Sequence, residues 1–204
     1  MHVTNTEKRI VGRRGFTLVE TLVAVTILLV VITGPMTIAQ KGMQNAFYAG
    51  DQTTAVYLAQ EAIEAVQRLR DNNALVAYDD YKNNVNYSGQ TTDWYTSLDS
   101  DCKNGQGCDV DFSSGSPVFS RDCDVTNECR LEVDTDGSYS NRVYGYTAGW
   151  TIDSLFTRRI QVGALSGGAV PVTVTVSWNA SIFGNTPRSV VLQTYIYDQY
   201  KRYE

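Results

Sequence analysis

The sequence predicts an α+β fold in which a long N-terminal helix packs on a small antiparallel sheet that contains disulfides. Three observations support this prediction. An apolar run of about twenty residues begins at Phe16, which is long enough as a helix to cross a bilayer core. A helical pattern with one apolar face follows this run. The last third of the chain alternates between apolar and polar residues, as half-buried strands do.

The charge of the chain changes sign at the apolar run. Residues 1–15 contain four basic residues and one acidic residue, so the rest has 17 − 4 = 13 basic and 22 − 1 = 21 acidic residues, a net charge of −8. By the positive-inside rule the basic flank stays in the cytoplasm, and everything after Met36 lies outside the membrane. An acidic exported part argues against nucleic acid as a partner, because binding to phosphates needs a basic surface.

The exported part offers few groups for catalysis or metal binding. The only histidine, His2, precedes the apolar run, so no imidazole follows it to act as a general base or a zinc ligand. An enzyme would have to use carboxylates such as Asp109 and Asp111, which alternate onto one face of a predicted short strand. We predict no catalytic residue, no metal site and no cofactor, and we predict that the chain is not an enzyme.

The parts of the N-terminal segment stand in an unusual order. In a secretory signal the small residue of the cleavage site follows the apolar core. Here Gly15 precedes the core, so a cut after Gly15 would leave the apolar helix as the new N-terminus. The apolar run also contains a single charge, Glu20. A carboxylate costs about 2.5–3.5 kcal/mol at the centre of a membrane helix and less near its end, so a partner for Glu20 is expected.

This arrangement resembles the prepilin-type class III signal of the type IV pilin and pseudopilin superfamily, from Arg13 to about Pro35. The resemblance implies three roles. Gly15 is the last leader residue and is read by a prepilin peptidase. Phe16 becomes the N-terminus and is N-methylated. Glu20 neutralises the amino terminus of a neighbouring subunit during assembly. The implied fold is type IV pilin-like.

We divide the chain into four segments on these grounds. Residues 1–15 are the cleaved leader, 16–36 the transmembrane and filament-core helix, 37–73 the amphipathic half of the helix, and 74–204 the globular pilin ectodomain. Gly34 and Pro35 predict a kink or a short unwound segment, because proline removes a backbone hydrogen bond and clashes with the preceding turn.

The second half of the helix has one apolar face. Its apolar residues recur at helical spacing, and polar residues fall elsewhere. The face consists of Ala55, Leu58, Ala59, Ala62, Ile63, Val66 and Leu69. We expect this face to lie against the sheet and the helix to end near Asp71–Asn73.

The connection from about Ala74 to Asp101 is polar and rich in aromatic residues. Its aromatic side chains, including Trp94 and Tyr95, allow two interpretations. They are an exposed contact surface, or they tuck under the connection as a small additional core. The second interpretation is favoured.

The cysteines predict two disulfides. Cys102, Cys108, Cys123 and Cys129 are even in number and lie outside the membrane, where disulfides persist. Their spacing lacks the C-x2-C of a zinc ribbon. The pairing stays open between the local set, 102–108 with 123–129, which is slightly favoured, and the nested set, 102–129 with 108–123.

Strand patterns follow the cysteines. Short strands are predicted at 109–113 and 130–133, and Asp134–Gly137 predicts a tight turn. Longer strands are predicted over 155–162, 170–179 and 190–197, and the short separations between them favour antiparallel hairpins.

These features predict a structural subunit of a type IV pilus, of the minor pilin class. The mature length of 204 − 15 = 189 residues suggests a minor subunit over a compact major one. Two alternatives stay open: an adhesive or ligand-binding minor pilin, and a pseudopilin of a type II secretion or DNA-uptake system. The resemblance implies as partners other pilin subunits in a homo- or hetero-filament, prepilin peptidase, the inner-membrane assembly platform and membrane lipid before assembly. The adhesive alternative adds a surface or host ligand. The expected location is the cytoplasmic membrane as a single-pass protein, then the extracellular pilus.

Overall fold

A computed structural model describes most of the chain after the predicted leader. The described residues are 15–82, 94–98, 100–111, 117–123, 129–133, 144–146, 152–180 and 186–197. The tight turn predicted at Asp134–Gly137 lies outside the described residues, and so do residues 83–93 and 99 of the polar connection and residues 112–113 of the first predicted short strand.

The described residues form three helices and seven strands. The helices are α1 (Leu18–Lys82), α2 (Trp94–Ser97) and α3 (Ser100–Lys103). The strands are β1 (Cys108–Asp111), β2 (Val118–Asp122), β3 (Arg130–Val133), β4 (Tyr144–Gly145), β5 (Ile152–Val162), β6 (Ala169–Ala180) and β7 (Thr186–Tyr197). The fold is therefore α+β, with a long N-terminal helix and an antiparallel sheet, as the sequence predicted.

Strand β5 organises the sheet because it has partners on both sides. On one side β6 pairs with it from Phe156 to Val162. On the other side β3 pairs with its first half and β1 meets it at Ile160. Hairpin partners extend the sheet, since β2 pairs with β1, β4 with β3, and β7 with β6 along the whole length of both strands. All these pairs are antiparallel, as predicted.

The chain divides into two compact units, residues 1–46 and 47–204. In the first unit, α1 exposes its apolar side chains: Val30, for example, is 73% exposed. The threonine hydroxyls of this part donate to carbonyls of the preceding turn of the same helix. These bonds join Thr21 to Leu18, Thr26 to Val23, Thr33 to Val30 and Thr37 to Gly34, at 2.7–3.1 Å. Each of these hydroxyls therefore has a hydrogen-bond partner within its own helix. A polar group needs such a partner in apolar surroundings, where no water is available.

The helix continues through Gly34 and Pro35, so the unwound segment that the sequence allowed is not present there. Proline is tolerated in apolar helices when other groups compensate for the backbone bond that it removes. The hydroxyl bonds from Thr33 and Thr37 lie within two residues of Pro35. A kink at this position stays a prediction.

In the second unit, α1 packs its predicted apolar face on the sheet. Ala55, Ala59 and Ala62 are fully buried and belong to the same core as the strands. The sheet side of this core includes Val170, Val172, Val174 and Val176, none of which is exposed. Burial of a valine of this kind contributes at least about 1.5 kcal/mol relative to exposure.

The helix ends later than predicted. It runs to Lys82, beyond Asp71–Asn73. The two asparagines are weak helix formers but do not block the backbone, and Ala74 and Leu75 after them favour a helix. Arg70 also joins this region to the sheet, because its Nη1 donates to the Tyr197 carbonyl at 3.4 Å.

Candidate functional site

The predicted processing segment lies just before α1. Residues 15–17 have no regular secondary structure, and Phe16 is 79% exposed. The first helical residue is Leu18, and the Glu20 N–H donates to the Thr17 hydroxyl at 3.2 Å. Thr17 is therefore the N-cap of α1 and Glu20 lies in the first turn, where unpaired backbone N–H groups favour a negative charge. A peptidase that cuts after Gly15 would find an exposed, non-helical bond.

The helix that follows is long and apolar enough to cross a membrane. Among the described residues, this helix alone meets that criterion of length and composition, over Leu18–Val76 with a mean hydropathy of 2.4 in its most apolar window. None of that window is buried within the chain. The apolar surface therefore has no cover among the described residues, unlike the core helix of a water-soluble domain.

The family comparison adds a match at this segment. Residues 11–34 match the model of the prokaryotic N-terminal methylation motif. The chain carries the N-terminal segment of the type IV pilin and pseudopilin superfamily. It is thus a pilin-like precursor, and a motif of this type implies processing by prepilin peptidase and contact with other pilin subunits. Neither the curated proteins nor the solved structures give a match to the chain.

Residues 11–34 are called the pilin-type segment. They contain all the residues to which the sequence analysis assigned a role in processing or assembly. Gly15 and Phe16 lie just before α1, and Glu20 lies in its first turn. Cleavage after Gly15, methylation of Phe16 and the pairing of Glu20 with a neighbour's amino group stay predictions.

A buried charge network holds the second half of α1 on the sheet. Arg158 of β5 is fully buried, and its Nε donates to Asp109 Oδ1 of β1 at 2.7 Å. Its Nη1 donates to Glu61 Oε2 of α1 at 2.7 Å, and its Nη2 donates to the Val110 carbonyl at 2.8 Å. A single guanidinium on β5 therefore binds the helix α1 and the neighbouring strand β1, using the forked set of donors that arginine offers.

The buried carboxylate has further donors. The Val110 N–H donates to Asp109 Oδ1 at 2.7 Å, and the Tyr146 hydroxyl donates to Oδ2. Complete burial raises the pKa of Asp109, while the Arg158 guanidinium and these hydrogen bonds oppose the rise. The carboxylates of Asp109 and Glu61 raise the pKa of Arg158 despite its burial, so this guanidinium keeps its charge. The network is a structural connection, in which the buried guanidinium and the buried carboxylate each have several partners.

The two disulfides flank this network. Cys102 of α3 pairs with Cys108, which precedes Asp109 in β1. Cys123 pairs with Cys129, and the Cys129 carbonyl accepts from the Arg158 N–H at 3.0 Å. The structure therefore forms the local set of pairs. Both bonds fix backbone segments next to the charges that they help to place.

A glycine makes the first disulfide turn possible. Gly107 has a φ of +89°, and a Cβ there would lie 2.6 Å from Arg159 Cγ and 3.0 Å from the Ile160 carbonyl oxygen. Its carbonyl also accepts from the Cys123 N–H at 3.0 Å, which brings the two disulfide regions together. Any side chain at this position would strain both regions.

The structure gives the two carboxylates of β1 different surroundings. Asp109 and Asp111 were expected to share a face of a short strand. Asp109 is buried as the partner of Arg158, and Asp111 is only partly buried. That the two carboxylates share a face stays a prediction. Among the described residues, no group of three histidine, cysteine or acidic side chains is placed to hold a metal ion.

The sequence contained a weak signal for Arg158 that was not used. Arg158 alternates with Phe156, Ile160 and Val162 and so falls on the helix-facing side of β5. A lone charge at a core position needs a buried partner of opposite sign. The partner could not be chosen from sequence, since Asp109 lies 49 residues away.

The aromatic connection agrees with the favoured interpretation where it is described. Trp94 is 2% exposed and belongs to the core, and Tyr95 packs partly against it with its ring edge-on. Lys103 Nζ lies 5.2 Å from the centre of the Tyr95 ring and donates to the Tyr95 carbonyl. These two aromatic residues thus stabilise α2 and α3 and do not form an exposed surface together.

Proposed function

We propose that the chain is a structural subunit, of the minor pilin class, of a type IV pilus. The observation that carries the proposal is that the pilin-type segment, which includes Gly15 and Glu20, continues without a break into an exposed apolar helix. Lipid covers this helix before assembly. In a filament, only the same helices of neighbouring subunits can cover it, because exposure to water would cost about 25 cal/mol for each Å² of apolar surface.

The proposed mechanism is the transfer of α1 from the bilayer to the filament core. The precursor enters the cytoplasmic membrane once, with its ectodomain outside. Prepilin peptidase removes residues 1–15, and the amino group of Phe16 becomes free. The carboxylate of Glu20 then pairs with the amino group of a neighbouring subunit, which offsets the cost of a charge in an apolar surrounding. The assembly platform adds subunits with the same rotation at each step, and such a non-closing contact produces a helical filament.

The first test concerns processing. Gly15→Val should leave the precursor uncut, because the side chain would obstruct the peptidase, and intact mass would show residues 1–15 still attached. Gly12→Val is the matched control, since it changes the other leader glycine in the same way. It should yield a mature chain that begins at N-methyl-Phe16. Equal processing of both variants would contradict the proposed cleavage site.

The second test concerns assembly. Filaments sheared from cells should contain the mature chain, in smaller amounts than a major subunit. Glu20→Gln should remove it from the sheared fraction and leave it in the membrane, whereas Glu64→Gln, on the exposed side of the second half of α1, should assemble normally. A chain that still begins at Met1 and occurs only in membranes would overturn the proposal.

A further inference from the structure

The loop that follows α3 contains the one Asn–Gly pair of the sequence, Asn104–Gly105. The disulfide between Cys102 and Cys108 closes this loop, and residues 104–106 are exposed. Gly105 has a φ of +87°, and a Cβ there would find no atom within 4 Å. Water therefore reaches the backbone at Gly105, which no side chain shields.

Hydrogen bonds within the loop give the Asn104 side-chain amide one orientation. Its Oδ1 accepts from the Gln106 N–H at 2.9 Å. Its Nδ2 donates to Asp101 Oδ1 and to Gln106 Oε1, both at 3.3 Å. An N–H that donates to a carbonyl oxygen stabilises the negative charge that an attack on the carbonyl carbon places on that oxygen. The Asn104 Cγ is therefore activated toward a nucleophile.

The backbone nitrogen of Gly105 is a nucleophile that belongs to the adjoining residue. A bond from this nitrogen to Asn104 Cγ closes a five-membered ring, and such an intramolecular reaction avoids the entropy cost of bringing two molecules together. Among the described residues, the Gly105 N–H donates to no acceptor. The nitrogen can therefore react without first breaking a hydrogen bond of this part of the structure.

We propose that Asn104 is a self-modification site, at which the side-chain amide is converted to an acid. The Gly105 nitrogen loses its proton to water and bonds to Asn104 Cγ. The Cγ–Nδ2 bond breaks, and Nδ2 takes up a proton and leaves as ammonia. One water then opens the cyclic imide at either of its carbonyls, so residue 104 becomes aspartate or isoaspartate. One water is consumed and one ammonia is released in the ring closure and opening together, and nothing is oxidised or reduced.

The modification changes the segment that leads into the buried charge network. The Gly105 carbonyl accepts from Gln161 Nε2 at 2.7 Å and so joins the loop to β5. Isoaspartate adds one carbon to the backbone before Gly105 and displaces this carbonyl, and either product places a new negative charge beside Asp101. The loop ends at Cys108, and Asp109 of the network comes next in β1.

The inference can be tested by ageing the folded full chain, with both disulfides intact, in detergent at mildly alkaline pH. Peptide mass spectrometry over time measures the conversion of each asparagine, because the acid is heavier than the amide, and fragmentation locates the change. Asn72 and Asn179 are internal controls, since both are exposed but are followed by residues that carry a side chain. We expect Asn104 to convert at least about tenfold faster than either control, because only there is the attacking nitrogen unshielded and the carbonyl activated. Equal rates would overturn the inference.

Asn104→Gln is the matched variant. It keeps an amide at this position, but attack by the Gly105 nitrogen would then close a larger ring, which is less favourably oriented. Conversion in this peptide should fall at least about tenfold. Unchanged conversion would place the reaction at Gln106 of the same peptide and would overturn the assignment to Asn104.

The same chain, reduced and denatured in urea, measures what the folded loop contributes. Gly105 still follows Asn104 in this chain, but the Gln106 N–H is no longer held at Oδ1. We expect the folded chain to convert at least as fast as the denatured chain, because the donor to Oδ1 is already in place. A folded rate several-fold below the denatured rate would show that the loop protects Asn104, and it would overturn the inference.

Discussion

The two halves of α1 form one continuous helix, but their side chains lie in different environments. In the first unit Val30 is 73% exposed, and in the second unit Val66 is fully buried. The first half is apolar on all sides and has no cover among the described residues. In the proposed function its cover comes from lipid or from other subunits. The second half is apolar on one face, and the sheet of the same chain covers that face. The comparison teaches that a single helix can supply one stretch to the core of its own chain and leave another stretch without cover among the described residues.

Of all the predicted effects, disruption of the Arg158 network should cause the largest loss in the free energy of unfolding, because the network joins the second half of α1 to the sheet. Arg158→Met removes the guanidinium and leaves Asp109 buried without its charge partner, which should lower the free energy of unfolding by about 3–5 kcal/mol. Thermal unfolding of the detergent-solubilised full chain measures the loss. The double variant Arg158→Met with Asp109→Asn should recover part of it, because no unpaired charge remains. A single variant as stable as the wild type would contradict the structural role of the network.

Removing the first disulfide should have the next largest effect. Cys102→Ser with Cys108→Ser opens a short loop and should lower the free energy of unfolding by about 2–2.5 kcal/mol from chain entropy. The same measurement applies, and it should also show that the loss combines non-additively with that of Arg158→Met, since Asp109 follows Cys108 directly. Strict additivity would show that the disulfide does not help to place Asp109.

A matched pair of valine substitutions sharpens the comparison between the halves. Val66→Ala creates a gap in the core and should lower the free energy of unfolding of the ectodomain by about 1–3 kcal/mol. Val30→Ala makes the same chemical change on an exposed position of the apolar half and should alter this free energy by less than about 0.5 kcal/mol. Similar losses for both would mean that the first half also contributes to the ectodomain core.

The pH dependence of the network gives the smallest expected effect. Burial raises the pKa of Asp109 in the folded chain above its ordinary value of 3.8, which applies to the unfolded chain. At a pH between the unfolded and the folded pKa, Asp109 is therefore protonated in the folded chain and ionised in the unfolded chain. The contribution of Asp109 to stability is therefore present at low pH and decreases as the pH rises through the raised value. Asp109→Asn cannot titrate, and its unfolding free energy should lack this decrease. Parallel pH profiles of the two chains would contradict the shift.

Much of the molecule follows from local patterns in the sequence. The pilin-type segment, the apolar half of α1 and its amphipathic continuation depend on neighbouring residues and on the helical period. The alternation of Val170, Val172, Val174 and Val176 fixes which face of β6 meets the helix, because successive residues of a strand point to opposite sides. These features are set by short stretches of chain, and the structure agrees with each of them.

Other features depend on which segments become neighbours, and only the tertiary structure decided them. Cys102 and Cys108 pair because α3 lies beside the start of β1, whereas the spacing also allowed a nested set. Arg158 finds Asp109 because β1 lies beside β5. Among the described strands, β7 pairs with β6 alone because it lies last in the sheet on that side. Sheet order, pairing and the partners of buried charges come from contacts between residues far apart in sequence, which no local period encodes.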